Sequence, residues 1–151
     1  MSRVILIGNG PSAVESKKGS LIDSDMFDTV IRFNRGHYSD DGSNTIEEFS
    51  DYVGTKTDYW IASDLRTHLA IRRVHKYKGI YIVTPKFKYN QTLARRISSE
   101  FPNIVFIPPD YEDSINQVVD FKPSWPSTGI VGIHFAINHF DEVYIHGFDT
   151  Y

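Results

Sequence analysis

Two short stretches of this chain combine residue types that hold anions. The first is Gly8-Asn9-Gly10-Pro11-Ser12, directly after the apolar run Val4–Ile7. Its glycines let the backbone approach a ligand closely, and Ser12 with Glu15 has the S-x-x-E spacing of a capping box. A helix beginning there would turn its positive end toward the loop, where phosphates and carboxylates bind. The second stretch is Pro126-Ser127-Thr128-Gly129, where Ser127 or Thr128 can cap an apolar helix starting at about Gly129. Hydroxyls and free backbone N–H groups make that helix start another anion seat. A polar loop, Gly147-Phe148-Asp149-Thr150-Tyr151, follows the last apolar run. Each stretch has a plainer explanation. Two glycines in a turn after a strand need no ligand, and neither does a capped core helix followed by a loop.

Other chemistry is less well served. Gly8-x-Gly10-x-x-Ala13 also fits the dinucleotide fingerprint, which wants an acidic residue ~20 positions later at the end of the second strand. That end is Phe33-Asn34-Arg35, and Asp28 precedes the strand, so a dinucleotide site is disfavoured. Asp40, Asp41, Glu47 and Glu48 lack the spacing of an Asp-x-Asp metal motif, and no metal is expected. No Ser-His-Asp order or cysteine nucleophile offers itself. A general base must reach the substrate hydroxyl and titrate near neutrality. His37, after the Asn34 loop, is the one histidine placed near a ligand edge and is a weak candidate. His134 and His139 lie on the apolar helix with packing roles, His146 lies on a strand, and His68 and His75 fall in a basic stretch.

The elements that must position these residues alternate. Strands are expected at Arg3–Ile7, Thr29–Asn34, Asp58–Ser63, Ile80–Thr84, Ile104–Ile107 and Glu142–Gly147. A short helix is expected over Ala13–Lys18, closed by Gly19. Another should run from the cap Asp64 to about Tyr77. A third, Asn90–Phe101, carries Leu93, Ile97 and Phe101 on one face. Asp110–Val119 reads as a short helix. The polar segment 39–56 reads mostly as loop with one helical turn. Strands separated by helices predict βαβ units: one Rossmann-like α/β domain over residues 1–151, its mainly parallel sheet of about six strands carrying helices on both faces. In such sheets ligands bind beyond the carboxyl ends of the strands, where the Gly8–Ser12 loop lies.

Composition sets bounds. With 151 residues the chain is long enough for one domain that buries roughly two-thirds of its surface. It has no cysteine, which excludes disulfides and thiolate metal sites. No apolar run approaches the ~20 residues of a membrane span, and a soluble cytoplasmic location is expected. The net charge of -3 hides an asymmetry. From Leu65 to Ser99 there is no Asp or Glu, while nine arginines and lysines fall there. This stretch is either a solvated face or a surface for an anionic partner such as an acidic glycan or a membrane. No nucleic-acid motif accompanies it, so no nucleic acid is expected, and the oligomeric state is left open.

The two anion-holding stretches carry a resemblance. "ILIGNGPS" followed by "FDTVIRFNR" resembles the first characteristic block of sialyltransferases, both the bacterial family 42 and the animal-type family 29 enzymes. "PSTGIVGIHFAINHFDEVYIHGFD" resembles their second block, and "VGTKTDYWIAS" is a weaker match to the segment between. The blocks occur in the right order over nearly the whole chain.

This resemblance implies inverting transfer of sialic acid, or a related keto-sugar acid, from a CMP-sugar donor to a glycan hydroxyl. It implies no metal and no cofactor beyond that donor. By position, Gly8, Asn9 and Gly10 would face the phosphate and ribose, with Ser12 among the substrate-binding residues, and Asn34 would bond the nucleoside. Ser63 stands where the bacterial enzymes have an asparagine sugar contact. Ser127, Thr128 and Gly129 would hold the sugar carboxylate, Asp149 would orient the nucleoside, and Tyr151 would donate to the leaving phosphate. The animal enzymes join their blocks by a disulfide and live behind a membrane anchor, so a cysteine-free chain is expected to be bacterial or phage. The family's general base is a histidine downstream of the second block, and the chain is expected to be incomplete at its C-terminus. A lipid-linked acceptor and a peripheral place at the membrane would suit the basic stretch. Two alternatives stand beside this one. One is a catalytically silent nucleotide-sugar-binding domain. The other is a pterin diphosphokinase-like enzyme using ATP and magnesium, whose glycine-proline-serine loop looks similar.

Overall fold

The computed structural model describes residues 1–34, 46–63, 76–84, 89–108, 110–119 and 126–149. Six strands form one parallel sheet: β1 (Arg3–Ile7), β2 (Thr29–Phe33), β3 (Tyr59–Ala62), β4 (Gly79–Val83), β5 (Ile104–Ile107) and β6 (Glu142–His146). Their order is β5-β4-β3-β2-β1-β6. From β1 to β5 the chain crosses the sheet in one direction. It then returns to lay β6 against β1, pairing Ile5 with Tyr144 and Ile7 with His146. β-branched residues dominate β1 and β2, which are buried on both faces as parallel strands must be.

Strand parity divides the core. On one face Ile5, Ile7 and Val30 pack with Ile22 of α1 (Gly19–Ile22) and Val53 of α2 (Ser50–Val53). Further along that face, Trp60, Ile80, Ile82 and Ile104 pack with Ile97 and Phe101 at the end of α3 (Gln91–Glu100). On the other face Val4, Leu6, Ile31, Phe33 and Ile61 meet Ala136 of α5 (Thr128–His139). Ile107 there packs with Ile115 of α4 (Tyr111–Asn116) and Val131 of α5. The described helices of the advancing crossovers thus lie on one face and those of the returning one on the other, as right-handed βαβ connections require. The single α/β domain with helices on both faces is the architecture expected from the sequence.

Three helices differ from expectation. Instead of a helix over Ala13–Lys18, a 3-10 turn spans Pro11–Val14 and α1 starts at Gly19, the residue expected to close the helix. Residues 14–18 are all exposed. A longer helix would have no apolar face to bury, so only the two ends, through Ala13 and Ile22, are held. In α3 the stripe runs through Ala94 and Ile97 to Phe101, and Leu93 is exposed rather than part of it. α4 is shorter than Asp110–Val119 because Val118 and Val119 are exposed beyond its end. The polar segment holds a 3-10 turn, Ile46–Phe49, followed by α2. The helix expected between Asp64 and Tyr77 falls largely outside the described residues.

A buried cation ties β2 to the segment after α2. Arg32 is 2% exposed. Its Nη2 donates to the carbonyls of Val53, Gly54 and Lys56 at 2.8, 3.1 and 3.0 Å, and its Nε to Thr57 Oγ1 at 2.8 Å. The carbonyls of Val53 and Gly54 that end α2 carry the negative pole of the helix, so a guanidinium meets them with the opposite charge.

Candidate functional site

Where the strand order reverses, between β1 and β6, the loops beyond their carboxyl ends part and leave a crevice. An open cleft of about 290 Å3 lies there, lined by Gly8, Asn9 and Gly10 after β1 and by Phe33 and Asn34 at the end of β2. Gly129 at the start of α5 and Gly147, Phe148 and Asp149 after β6 complete it. The first and second anion-holding stretches therefore open onto one cleft, together with the polar loop.

Phe148 joins them. A Cβ on Gly8 would stand 3.0 Å from Phe148 Cδ2, and one on Gly129 would stand 3.0 Å from Phe148 Cε1. The same ring meets Phe33 edge-on, centroids 5.6 Å apart. One aromatic side chain thus touches the β1 loop, the end of β2 and the start of α5. Gly147 reaches this position with φ of 72°, a left-handed conformation suited to glycine, and packs against Ala13. Its carbonyl accepts the N–H of Gly10 at 2.9 Å.

The first stretch is built differently from a capping box. The Pro11–Val14 turn has Gly10 as its N-cap, without a side-chain hydrogen bond. Asp149 takes the place expected of Glu15 and Ser12: its Oδ2 accepts the backbone N–H of Ser12 at 3.2 Å and lies against the α-carbon of Gly10. A carboxylate from β6's loop already sits on the positive end of this turn. The glycines at 8 and 10 are accordingly required by close approach of the 147–149 backbone and Asp149. Ser12 itself is half-buried and does not line the cleft.

The second stretch forms as the sequence indicates. Ser127 is the N-cap of α5, its Oγ accepting the N–H of Ile130 at 3.3 Å. The N–H groups of Thr128 and Gly129 belong to the turn with no intrahelical acceptor. Gly129 lines the cleft, and its missing side chain is what lets Phe148 lie close.

Two amides form the wall opposite. Asn9 Nδ2 donates to the carbonyl of Phe33 at 3.1 Å, which leaves its oxygen and its second N–H for a ligand. Asn34 has φ of 48°, tolerated by asparagine, and its Oδ1 accepts the N–H of Ser63 at 2.9 Å. Its amide nitrogen is then the group left to donate. Ser63 is exposed and outside the lining; its contact with the cleft runs through Asn34. Phe33, Gly147 and Phe148 line the cleft although the sequence assigned ligand roles only to their neighbours Asn34 and Asp149. The available signal was position alone: each sits at or just beyond the carboxyl end of a strand.

The described histidines are engaged elsewhere. His146 Nε2 donates to the carbonyl of Ala13 at 3.0 Å, and His139 Nδ1 lies 2.8 Å from the carbonyl of Phe135. His134 Nδ1 lies 3.0 Å from the Tyr111 hydroxyl. Burial pushes the Tyr111 phenol above its ordinary range. His37 and Tyr151, the candidates for base and leaving-group donor, lie outside the described residues, as do Asp40 and Asp41.

The sequence model of glycosyltransferase family 29 (sialyltransferase) matches residues 1–151. A search of curated proteins finds no match. Among solved structures, the chain is similar to the crystal structure of a mammalian sialyltransferase, with a TM-score of 0.71 and 22% sequence identity. That similarity covers 99% of this chain and 55% of the other, so the chain spans about half the length of the structure it matches. Its six-stranded parallel sheet is that fold, and the chain belongs to glycosyltransferase family 29, the sialyltransferases.

Proposed function

We propose that the cleft binds a CMP-activated sialic acid, or a related keto-sugar acid, and that the protein passes the sugar to a glycan hydroxyl with inversion and without a metal ion. The observation that carries this reading is the meeting in one cleft of two unlike walls, one of neutral amides and one at a helix start with free N–H groups. Such a donor has an uncharged nucleoside at one end and anionic groups at the other. Asn9 and Asn34 suit the ribose and base, offering both acceptor and donor groups. Thr128 and Gly129 suit a carboxylate or phosphate oxygen, because a helix start supplies both N–H groups and positive potential. Asp149, held on Ser12, suits a nucleoside hydroxyl as acceptor and would repel a phosphate placed on the first loop. We accordingly assign the anionic end of the donor to α5. Tyr151, beyond the described residues, remains the proposed donor to the leaving phosphate, and His37 a weak candidate base.

In this reading the protein is cytoplasmic, and its acceptor is a glycan that a lipid can carry. The exposed Lys76, Lys78, Arg95 and Arg96 belong to the basic stretch that would face a membrane or an acidic glycan. Calorimetry with CMP, ATP and NAD, each with and without magnesium, tests the reading. CMP should bind in the absence of metal, and sugar transfer or donor hydrolysis should disappear in Tyr151→Phe. Binding of ATP only with magnesium, or of NAD in preference to CMP, would refute it. CMP binding without any turnover would reduce the protein to a donor-binding domain.

A further inference from the structure

The Gly8–Ala13 loop is held to the end of β6 bond by bond. Gly8 N–H donates to the carbonyl of His146 at 2.7 Å, Gly10 N–H to that of Gly147 at 2.9 Å, and Ser12 N–H to Asp149 Oδ2 at 3.2 Å. Ala13 N–H turns back onto the Gly10 carbonyl at 3.0 Å, and Pro11 has no N–H to offer. These amides are spent inside the chain. Among the described residues, the backbone N–H of Asn9 is the one in this loop without a partner. The loop is therefore not a nest of several converging N–H groups. It presents a single residue, Asn9, with its backbone N–H, its Oδ1 and its second Nδ2 proton.

A further link between the two loops runs the other way and comes from a side chain. His146 Nε2 donates to the carbonyl of Ala13 at 3.0 Å. A carbonyl only accepts, so this bond fixes a proton on Nε2. Ala13 is fully buried, and among the described residues no backbone N–H reaches its carbonyl. Without the imidazole that oxygen is an unpaired acceptor in the interior, which is costly. Water satisfies it instead when the Pro11–Val14 turn lifts away from β6. Residues 14–18, all exposed, add little packing to hold the turn down. His146 thus makes both ends of the clamp. Its backbone carbonyl takes Gly8 where the loop begins, its ring takes Ala13 where the loop closes, and Asn9 lies between.

We infer that His146 is a positioning residue for nucleotide binding: through the Ala13 carbonyl it closes the Gly8–Ala13 loop on β6 and fixes Asn9 at the cleft. It does so without touching the ligand, since His146 lies outside the cleft lining. The inference rests on the reading of the cleft as a CMP site.

Calorimetry with CMP tests it on a set of variants. His146→Phe keeps a flat ring on the strand but has no N–H, and should weaken CMP binding about tenfold. His146→Gln returns an N–H at similar reach and should restore the affinity to within about twofold. Asp28→Ala removes the acceptor of the Arg3 N–H at the opposite end of β1. It should lower the urea midpoint while leaving CMP affinity unchanged. Hydrogen exchange followed by NMR supplies a measure that needs no ligand. The Gly10 and Ser12 amides should speed up in His146→Phe by a larger factor than those of Ile5 and Leu6. Unchanged CMP affinity in His146→Phe, an equal loss in Asp28→Ala, or a glutamine variant as weak as the phenylalanine one would overturn the inference. A parent chain that does not bind CMP would instead refute the CMP reading. Exchange at Gly10 and Ser12 that His146→Phe leaves unaltered would refute the clamp by itself.

Discussion

A methyl group at Gly8 would run into the carbonyl oxygen of Gly147 and approach the ring of Phe148. Neither neighbour gives way easily, since one is backbone and the other is wedged between Phe33 and Gly129. Gly8→Ala should therefore cost about 1–3 kcal/mol of stability in urea unfolding, by overpacking, and should weaken CMP binding in calorimetry. An unaltered midpoint would mean that the β1 and β6 loops do not meet. Arg32 governs a second point. Arg32→Met keeps much of the side chain's length but strands the carbonyls of Val53, Gly54 and Lys56. A loss of at least ~2 kcal/mol is expected from the same unfolding measurement. The glycines at 8 and 10 were legible in the sequence as places of close approach. What approaches them was not, because Asp149 lies well over a hundred positions away and nothing local marks its carboxylate as the cap of the Pro11–Val14 turn. Arg32 was illegible for a similar reason: within Thr29–Asn34 it reads as one polar residue in an apolar strand.

At the scale of elements, the start of β1 is clamped by two carboxylates. Asp28 Oδ2 accepts the backbone N–H of Arg3 at 2.7 Å, and Asp141 Oδ2 accepts that of Ser2 at 2.6 Å. These backbone hydrogen bonds hold both carboxyls below their ordinary range. A lowered carboxyl stabilises the fold fully above its unfolded value, about 3.9, and loses that contribution as pH falls through the folded value. The urea midpoint should thus decline below about pH 4. The decline should be shallower in the Asp28→Asn, Asp141→Asn double variant, and an equal slope would contradict the assignment. Strands were the most legible elements, since short β-branched runs bounded by polar clusters have few other uses. α5 and its Ser127 cap were legible for the same local reason. The segment after β1 was not: capping chemistry can start a helix, but residues 14–18 offer no apolar face to sustain one.

Over the whole molecule, the sequence identified a parallel sheet with its ligand loops beyond the carboxyl ends. It did not supply the order in which strands lie. That order decides the site, because placing β6 beside β1 brings Phe148 and Asp149 onto the Gly8–Ser12 loop and carries α5 over the same end of the sheet. The central claim is that these distant loops form a single receptor for one doubly functional ligand. The most direct measurement is a CMP titration of the isotope-labelled chain followed by amide NMR. Gly8, Gly10, Gly129 and Phe148 should shift together along one saturation curve. Movement of the Gly8–Gly10 amides while Gly129 stays fixed, or separate curves for the two loops, would contradict a shared cleft.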